Sequence, residues 1–418
     1  MRLGGRLSGA IEVLTDFETR RRPVADSLRD WGLSHRFAGS GDRAAIGNIV
    51  YDALRMKLSH AYLMDDDNPT ALGYAVLLRQ WGLAPEMLAG EFDGDRFAPE
   101  PLSGEKLAAF RARNLADAAP HIQGDIPEWI QPAFEVNFGE AWLTEAQALA
   151  GRPTLDLRAN TLKAGRDKVL AALEGNAAVA SAIAREGIRI PAGEGPSRLP
   201  NVTADLAFQK GWFEVQDEGS QIVADLVFPK EGDQVLDFCA GGGGKTLAMA
   251  AAMHNKGQVH AYDTDRKRLV PIIERLKRAG TRNVQVHETI ASLSPLNGRF
   301  DRVLVDAPCT GTGTWRRRPD TKWRLTEKNL EERLTQQQEA LANASAFVRP
   351  GGFLLYVTCS ILPQENEEQV HGFCAANPDF EILSATDNWK ALFGAERPQP
   401  WSRDGKTVET GRISKILA

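Results

Sequence analysis

Residues 234–255, QVLDFCAGGGGKTLAMAAAMHN, decide the fold: an apolar run of strand length, four successive glycines, then an alanine-rich stretch that reads as helix. A glycine loop at such a junction lets backbone approach a ligand closely, and the helix start offers amide groups without partners inside the helix. The alternation continues downstream. QVHAYD (258–263) precedes the helical RKRLVPIIERLKRAG (266–280), and NVQVHE (283–288), RVLVDAP (302–308) and GGFLLYVTCS (351–360) follow as further strands. Strands alternating with helices predict a parallel sheet with helices on both faces, an α/β domain of Rossmann-like type over 216–418.

Two regions precede it. Residues 125–150 suit two short helices, and TLDLRANTLK (154–163) alternates apolar and polar side chains as a strand does, so 125–215 reads as a small α/β module interrupted by the Gly/Pro loop PAGEGPSRLP at 191–200. Residues 1–124 read as all-helical. Within 43–62, Ile46, Ile49, Val50, Ala53, Leu54, Leu58 and Ala61 recur at helical steps, and Trp31 and Trp81 suit a helical core.

Two nucleotide classes compete for the glycine loop. GGKT resembles the end of a phosphate-binding P-loop, with RVLVDAP as its acidic strand, but a P-loop needs glycine five residues before Gly244, where Cys239 stands. Asp263 instead closes the second strand about 20 residues beyond the glycines, where a carboxylate accepts hydrogen bonds from the ribose of an adenosyl ligand. Lys245 is electrostatically misplaced in the first turn of a helix, which points to a functional partner.

No stretch has the roughly 18 to 20 continuous apolar residues of a membrane span, and the N-terminus shows no secretion signal, so a cytoplasmic protein is expected. The four cysteines are too scattered for a disulfide framework or zinc-ligand spacing, so no metal is expected. A net charge of -5 argues mildly against a protein coated with nucleic acid. Against that sum, WRRRPDTKWR (315–324) is locally basic: Arg316, Arg317 and Arg318 are candidate RNA phosphate contacts, with Trp315 and Trp323 as stacking surfaces or plain packing.

Cys309 and Cys359 each follow an apolar strand and so reach the carboxyl edge of the sheet, beside the glycine loop, whereas Cys374 lies on a helical pattern and reads as structural. Carbon-5 of cytosine is a poor nucleophile. Addition of a thiolate at carbon-6 makes it electron-rich enough to take a methyl group from a sulfonium donor, after which the carbon-5 proton must leave and the adduct eliminate. One thiol can add and the other assist release, but the residues alone do not rank them.

These motifs resemble those of the RsmB (Fmu/Sun) family of ribosomal RNA cytosine-5 methyltransferases. The resemblance rests on VQDEGSQ (215–221), CAGGGGKT (239–246), AYDTDRKRL (261–269), VLVDAPCTGTGTWRRRPDTKW (303–323) and YVTCSILPQEN (356–366), with LRANTLK (157–163) similar to the family's RNA-binding strand and residues 1–124 to its NusB-like domain. It implies an S-adenosylmethionine-dependent enzyme, acting as a monomer on RNA, in which Cys359 is the nucleophile, Cys309 the helper in product release, and Asp306 the contact to the cytosine edge beside the cofactor. Cys239, Ala240, Gly241, Gly242, Gly243, Gly244, Lys245, Asp263 and Asp306 would hold the cofactor, and Arg158, Asn160 and Lys163 the RNA. The chain departs from the pattern at Gly242, where the family has proline, and at Thr289, beside Glu288, where an acid is expected; the adenine contact is therefore unassigned. The ending TVETGRISKILA lacks the usual aromatic residues. A non-catalytic RNA-binding assembly factor and a P-loop NTPase are the competing functions.

Overall fold

The amphipathic pattern over 43–62 produces two helices rather than one, Ser40–Arg55 and Lys57–Met64, because Met56 leaves helical geometry at φ -120 and ψ 37. In the computed structural model, which describes residues 1–394 and 414–417, they belong to the first of two packing units: Met1–Pro153, Ala192–Leu199 and Gly311–Thr326. Its core joins Leu7, Leu14 and Phe17 of helix Leu3–Arg20 to Ile46, Ile49, Val50 and Leu54, with Trp31 closing one side. Gly9 is required there, since a Cβ would lie 2.6 Å from Trp31 Cζ2.

Polar contacts explain why distant segments join this unit. Buried Asp52 pairs with Arg55 at 2.8 Å and with Arg152, which donates to the carbonyls of Gly193 and Gly195, each at 2.7 Å. Arg55 also donates to Arg316 O at 2.8 Å, and Arg316 donates to Arg152 O at 2.7 Å. The segment expected to be a basic surface is thus half absorbed into packing. Lys322 is buried, donates to Arg55 O at 3.0 Å and lies 5.6 Å and 5.0 Å from the Trp315 and Trp323 rings; burial pulls its pKa down to about 8. Trp315 is itself fully buried and stacks on Phe134, while Trp323 donates to Leu54 O at 2.6 Å. Both rings therefore serve packing rather than stacking on RNA.

The second unit comprises Thr154–Pro191, Pro200–Thr310 and Glu327–Ala418. An antiparallel sheet of order β2-β3-β1-β4 is formed by β1 (Leu155–Ala159), β2 (Val179–Ala180), β3 (Gly187–Ile190) and β4 (Phe213–Val215). A parallel sheet of order β10-β11-β9-β8-β5-β6-β7 is formed by β5 (Gln234–Asp237), β6 (Gln258–Tyr262), β7 (Val284–His287), β8 (Phe300–Asp306), β9 (Val348–Val357), β10 (Phe380–Ile382) and β11 (Ser414–Leu417). The order reverses at β5, so a crevice opens beyond its carboxyl end, where the glycine loop begins. The helix expected over 266–280 is split into Arg266–Leu269 and Ile272–Ala279 by Pro271, which has no N–H to continue the ladder. Within the atypical ending, Ser414–Leu417 inserts between β10 and β9; the remainder, 407–413 and 418, lies outside the described residues.

The packing differs from the three-part division read from the sequence. Residues 125–153 join the helical unit, and β1 to β4 pack with the parallel sheet, because Asn160 donates to Ala279 O at 2.8 Å and Glu214 pairs with Arg275 and Arg278 of helix Ile272–Ala279. No helix among the described residues is long and apolar enough to cross a membrane.

Burial of Trp315 makes a prediction. Trp315→Ala should cost about 3–5 kcal/mol through forfeited transfer energy and a residual cavity. The helical unit should then unfold at lower urea concentration in a fluorescence titration; an unchanged midpoint would show that the indole is not a core side chain.

Candidate active site

Strand β5 ends at Asp237, and the chain turns through Cys239–Gly243 before helix Gly244–Ala252. Gly241 and Gly243 hold φ +50 and +78, and a Cβ on Gly243 would sit 2.4 Å from Ile272 Cγ1, so this loop path demands glycine. Gly243 N–H donates to Ala240 O, and Ala240 N–H to Tyr262 O, each at 2.9 Å. Gly242, which stands where the resemblance has proline, has its carbonyl held by Arg275 Nη1 at 2.5 Å, and the same guanidinium donates through Nη2 to Glu214 at 3.0 Å. A side chain far along the sequence supplies the restraint that proline would give.

The residues present fit an adenosyl cofactor. Asp263 is buried at the end of β6, where Oδ2 accepts from Gly241 N–H and Oδ1 from Asp265 N–H, each at 2.9 Å. Oδ2 also pairs with Arg268 at 3.3 Å, whereas Oδ1 keeps a second lone pair to which a ribose hydroxyl can donate. Asp237 accepts from Thr246 Oγ1 at 2.6 Å through Oδ2, its Oδ1 is buried without a partner, and burial pushes its pKa up to about 6. Burial, reinforced by Asp263 and Asp306, pushes the Cys239 thiol far up, so Cys239 contributes backbone rather than a thiolate. Glu288, the acid adjacent to Thr289, pairs with the exposed Arg266, and Thr289 starts a short turn.

Lys245 finds its partner in Asp306, at the end of β8, with Nζ 2.6 Å from Oδ2. Burial disfavours the ammonium, but Asp306 outweighs it and holds the lysine pKa above its ordinary value. Beyond β8 and β9 the two predicted thiols meet: Cys309 Sγ and Cys359 Sγ are 3.3 Å apart, Cys359 exposed and Cys309 half-buried. With Cys309 as donor, the contact lowers the Cys359 pKa; Lys245 helps, while burial and Asp306 oppose. The Cys309 thiol is raised well above its ordinary value, first by that contact and then by burial.

Sequence reasoning missed the groups that hold these loops. Glu365, fully buried, accepts from Thr310 N–H at 2.8 Å and from the Thr310 hydroxyl, and Gln337 donates both to Glu365 Oε1 and to Pro308 O at 2.9 Å, so the turn carrying Cys309 is pinned from two sides. Asn366 accepts from Thr358 Oγ1 at 2.6 Å and donates to Ser360 O at 3.0 Å, bracketing Cys359. Glu365 and Asn366 both lie in the YVTCSILPQEN motif, the one signal that pointed to them.

The predicted RNA contacts divide. Arg158 is buried and donates to Gln216 Oε1 at 2.6 Å; Asn160 is buried and donates to Gly211 O and Ala279 O, each at 2.8 Å. Neither presents a side chain to a phosphate, a correction that follows from their packing against β4 and helix Ile272–Ala279. Lys163, Arg317 and Arg318 are exposed, whereas Arg316 is half-buried and bonded to Arg152 O.

Residues 224–405 match the model of 16S rRNA methyltransferase RsmB/F, and residues 126–193 that of the ferredoxin-like domain of RsmF/B-like methyltransferases. Ribosomal RNA small subunit methyltransferase B of Cronobacter sakazakii is 36% identical over 279 residues, 65% of this chain; the chain covers 63% of that relative's length. The crystal structure of PH0851 aligns at TM-score 0.67 and 24% identity over 90% of this chain and 91% of that one, a likeness of fold. A methyltransferase homolog protein from Pyrococcus horikoshii aligns at TM-score 0.52 and 29% identity over 62% and 81%.

The site geometry can be tested at the loop and at the thiols. Arg275→Ala frees the Gly242 carbonyl from a charge-assisted bond and should weaken S-adenosylmethionine roughly tenfold by calorimetry without unfolding the sheet; unchanged affinity would remove Arg275 from the cofactor site. Because a lowered pKa brings the thiolate in at lower pH, Cys359 should react first with iodoacetamide, and Cys309→Ala should move its rate–pH curve to higher pH. Mass spectrometry reads both, and superimposed curves or prior alkylation of Cys309 would refute the assignment.

Proposed function

From the match of residues 224–405 to the RsmB/F methyltransferase model and the 36% identity to a ribosomal RNA small subunit methyltransferase B, we propose that the chain is an enzyme of that family and transfers a methyl group from S-adenosylmethionine to carbon-5 of cytosine in ribosomal RNA through a covalent adduct at Cys359. The observation that carries this reading is the thiol pair, 3.3 Å apart and next to the Lys245–Asp306 ion pair. Bound in the loop, S-adenosylmethionine supplies an electrophilic methyl group. The chain's own residues do the rest. Cys359, the thiol favoured to ionise, adds to carbon-6, and the displaced electron density makes carbon-5 nucleophilic. Asp306, held by Lys245, binds the cytosine edge near ring nitrogen-3.

Forming the Cys359–carbon-6 bond removes the negative charge from Cys359, and with it part of what raises the Cys309 thiol. Cys309 can then lose its proton to solvent and, as thiolate, accept the carbon-5 proton; the carbon-5 electrons restore the ring double bond, and the carbon-6–sulfur pair leaves on Cys359 as thiolate. Lys245 is committed to Asp306 rather than open to a triphosphate, which favours this reading over an NTPase. The exposed Arg317 and Arg318, together with Lys163, are the proposed RNA contacts that survive from the sequence.

The two cysteines should fail differently. Cys359→Ala should give neither 5-methylcytosine nor a denaturant-resistant protein–RNA complex, whereas Cys309→Ala should still add and methylate but accumulate the complex when RNA and S-adenosylmethionine are both present. Denaturing electrophoresis and labelled methyl transfer distinguish them. The opposite pattern would exchange the roles, and two fully active variants would overturn the adduct mechanism.

A further inference from the structure

Asn160, buried where β1 ends, draws three chain segments together by donating to Gly211 O and Ala279 O. Gly211 holds φ +73, and a Cβ there would lie 2.0 Å from Arg278 O, so the close approach is possible only for glycine. The result is a groove of about 720 Å³ between the small module and the C-terminal end of helix Ile272–Ala279. Lys163 donates to Lys210 O at 3.2 Å, and Lys168 and Lys210 place their ammonium groups 4.2 Å and 5.3 Å from the Trp212 ring. Lys277 completes the wall, and Glu274 is the one acid lining it among the described residues. Arg278 is already neutralised by Glu214, but among the described residues no carboxylate pairs with Lys163, Lys168, Lys210 or Lys277. Lys163, Lys210 and Lys277 thus come from three segments to line one groove, with Lys168 and Lys210 over the same indole, and this exposed cationic wall in a chain of net charge -5 suits an anion.

We propose that this groove binds the phosphate backbone of the substrate RNA, at nucleotides other than the target cytosine. A groove this wide, lined by lysines from three segments, suits successive phosphates of one strand better than a single small anion. Helix Ile272–Ala279 then links the two ends of the substrate path: its C-terminal end lines the groove, and Ile272 at its start packs on Gly243 of the cofactor loop. The inference rests on reading the chain as an RNA enzyme, so its test uses a cytosine-free RNA oligomer, whose binding is independent of methyl transfer.

Replacing Lys163, Lys210 and Lys277 with alanine should weaken binding of that oligomer and lower the slope of log K against log salt by about 2, at roughly 0.7 for each phosphate no longer neutralised. Methyl transfer by the variant should show a raised KM for RNA and an unchanged kcat. Replacing the exposed Lys230, Lys256 and Lys328 removes the same charge elsewhere and should leave the slope near the wild-type value. An unaltered slope in the first variant, or an equal fall in both, would overturn the groove, as would a Lys210→Ala single variant that binds like wild type. If the groove variant behaves as expected while the wild type transfers no methyl group, the fault lies with the proposed activity and not with the groove.

Discussion

A lysine in the first turn of a helix faces the positive end of the helix dipole, and in this protein Lys245 is also largely shielded from water. What makes that position tolerable is Asp306, 2.6 Å away at the end of β8. The pair therefore ties the helix after the glycine loop to the neighbouring strand, and it sets where the loop, the Asp306 carboxylate and the Cys359 thiol stand relative to one another. A parallel sheet brings all of these to one edge; the ion pair decides their spacing within it. Removing Asp306 would leave the largely shielded Lys245 ammonium without its partner.

The electrostatics of the thiols follow from the same arrangement. With Cys309 as donor, the hydrogen bond between the two thiols lowers the Cys359 pKa and raises that of Cys309; Lys245 adds to the lowering at Cys359, and burial adds to the raising at Cys309. Two residues of identical chemistry are thereby pushed in opposite directions. That asymmetry supplies a physical reason for ranking them, which neither spacing nor strand-end position could provide. Cys239, a third cysteine on the same edge, is taken out of play by burial among three carboxylates.

The elements legible from the sequence were those governed by local pattern. The strands β5 to β9 announce themselves as apolar runs between turn signals, and the four glycines report a loop whose φ values and contact with Ile272 admit little else. Side-chain destinations were less legible, because exposure is a property of the assembled fold. Arg158 alternates correctly for a strand yet faces β4, where Gln216 accepts from it. Lys322 lies in a run of cations, yet its ammonium is buried between two indoles with a backbone carbonyl as acceptor. Arg275 reads as an ordinary polar position on an amphipathic helix; only the folded arrangement shows it holding Gly242.

That last contact bears on how the small module and the cofactor loop communicate. Glu214 on β4 holds Arg275 and Arg278 on the helix, and Arg275 in turn holds the Gly242 carbonyl, so one buried carboxylate connects a strand of the small module to the glycine loop through a single guanidinium. With proline at position 242 the loop would be stiff on its own and this connection redundant. With glycine, the Gly242 carbonyl is held through Arg275 and Glu214, beside the bonds that Asp263, Ala240 and Tyr262 make to the rest of the loop.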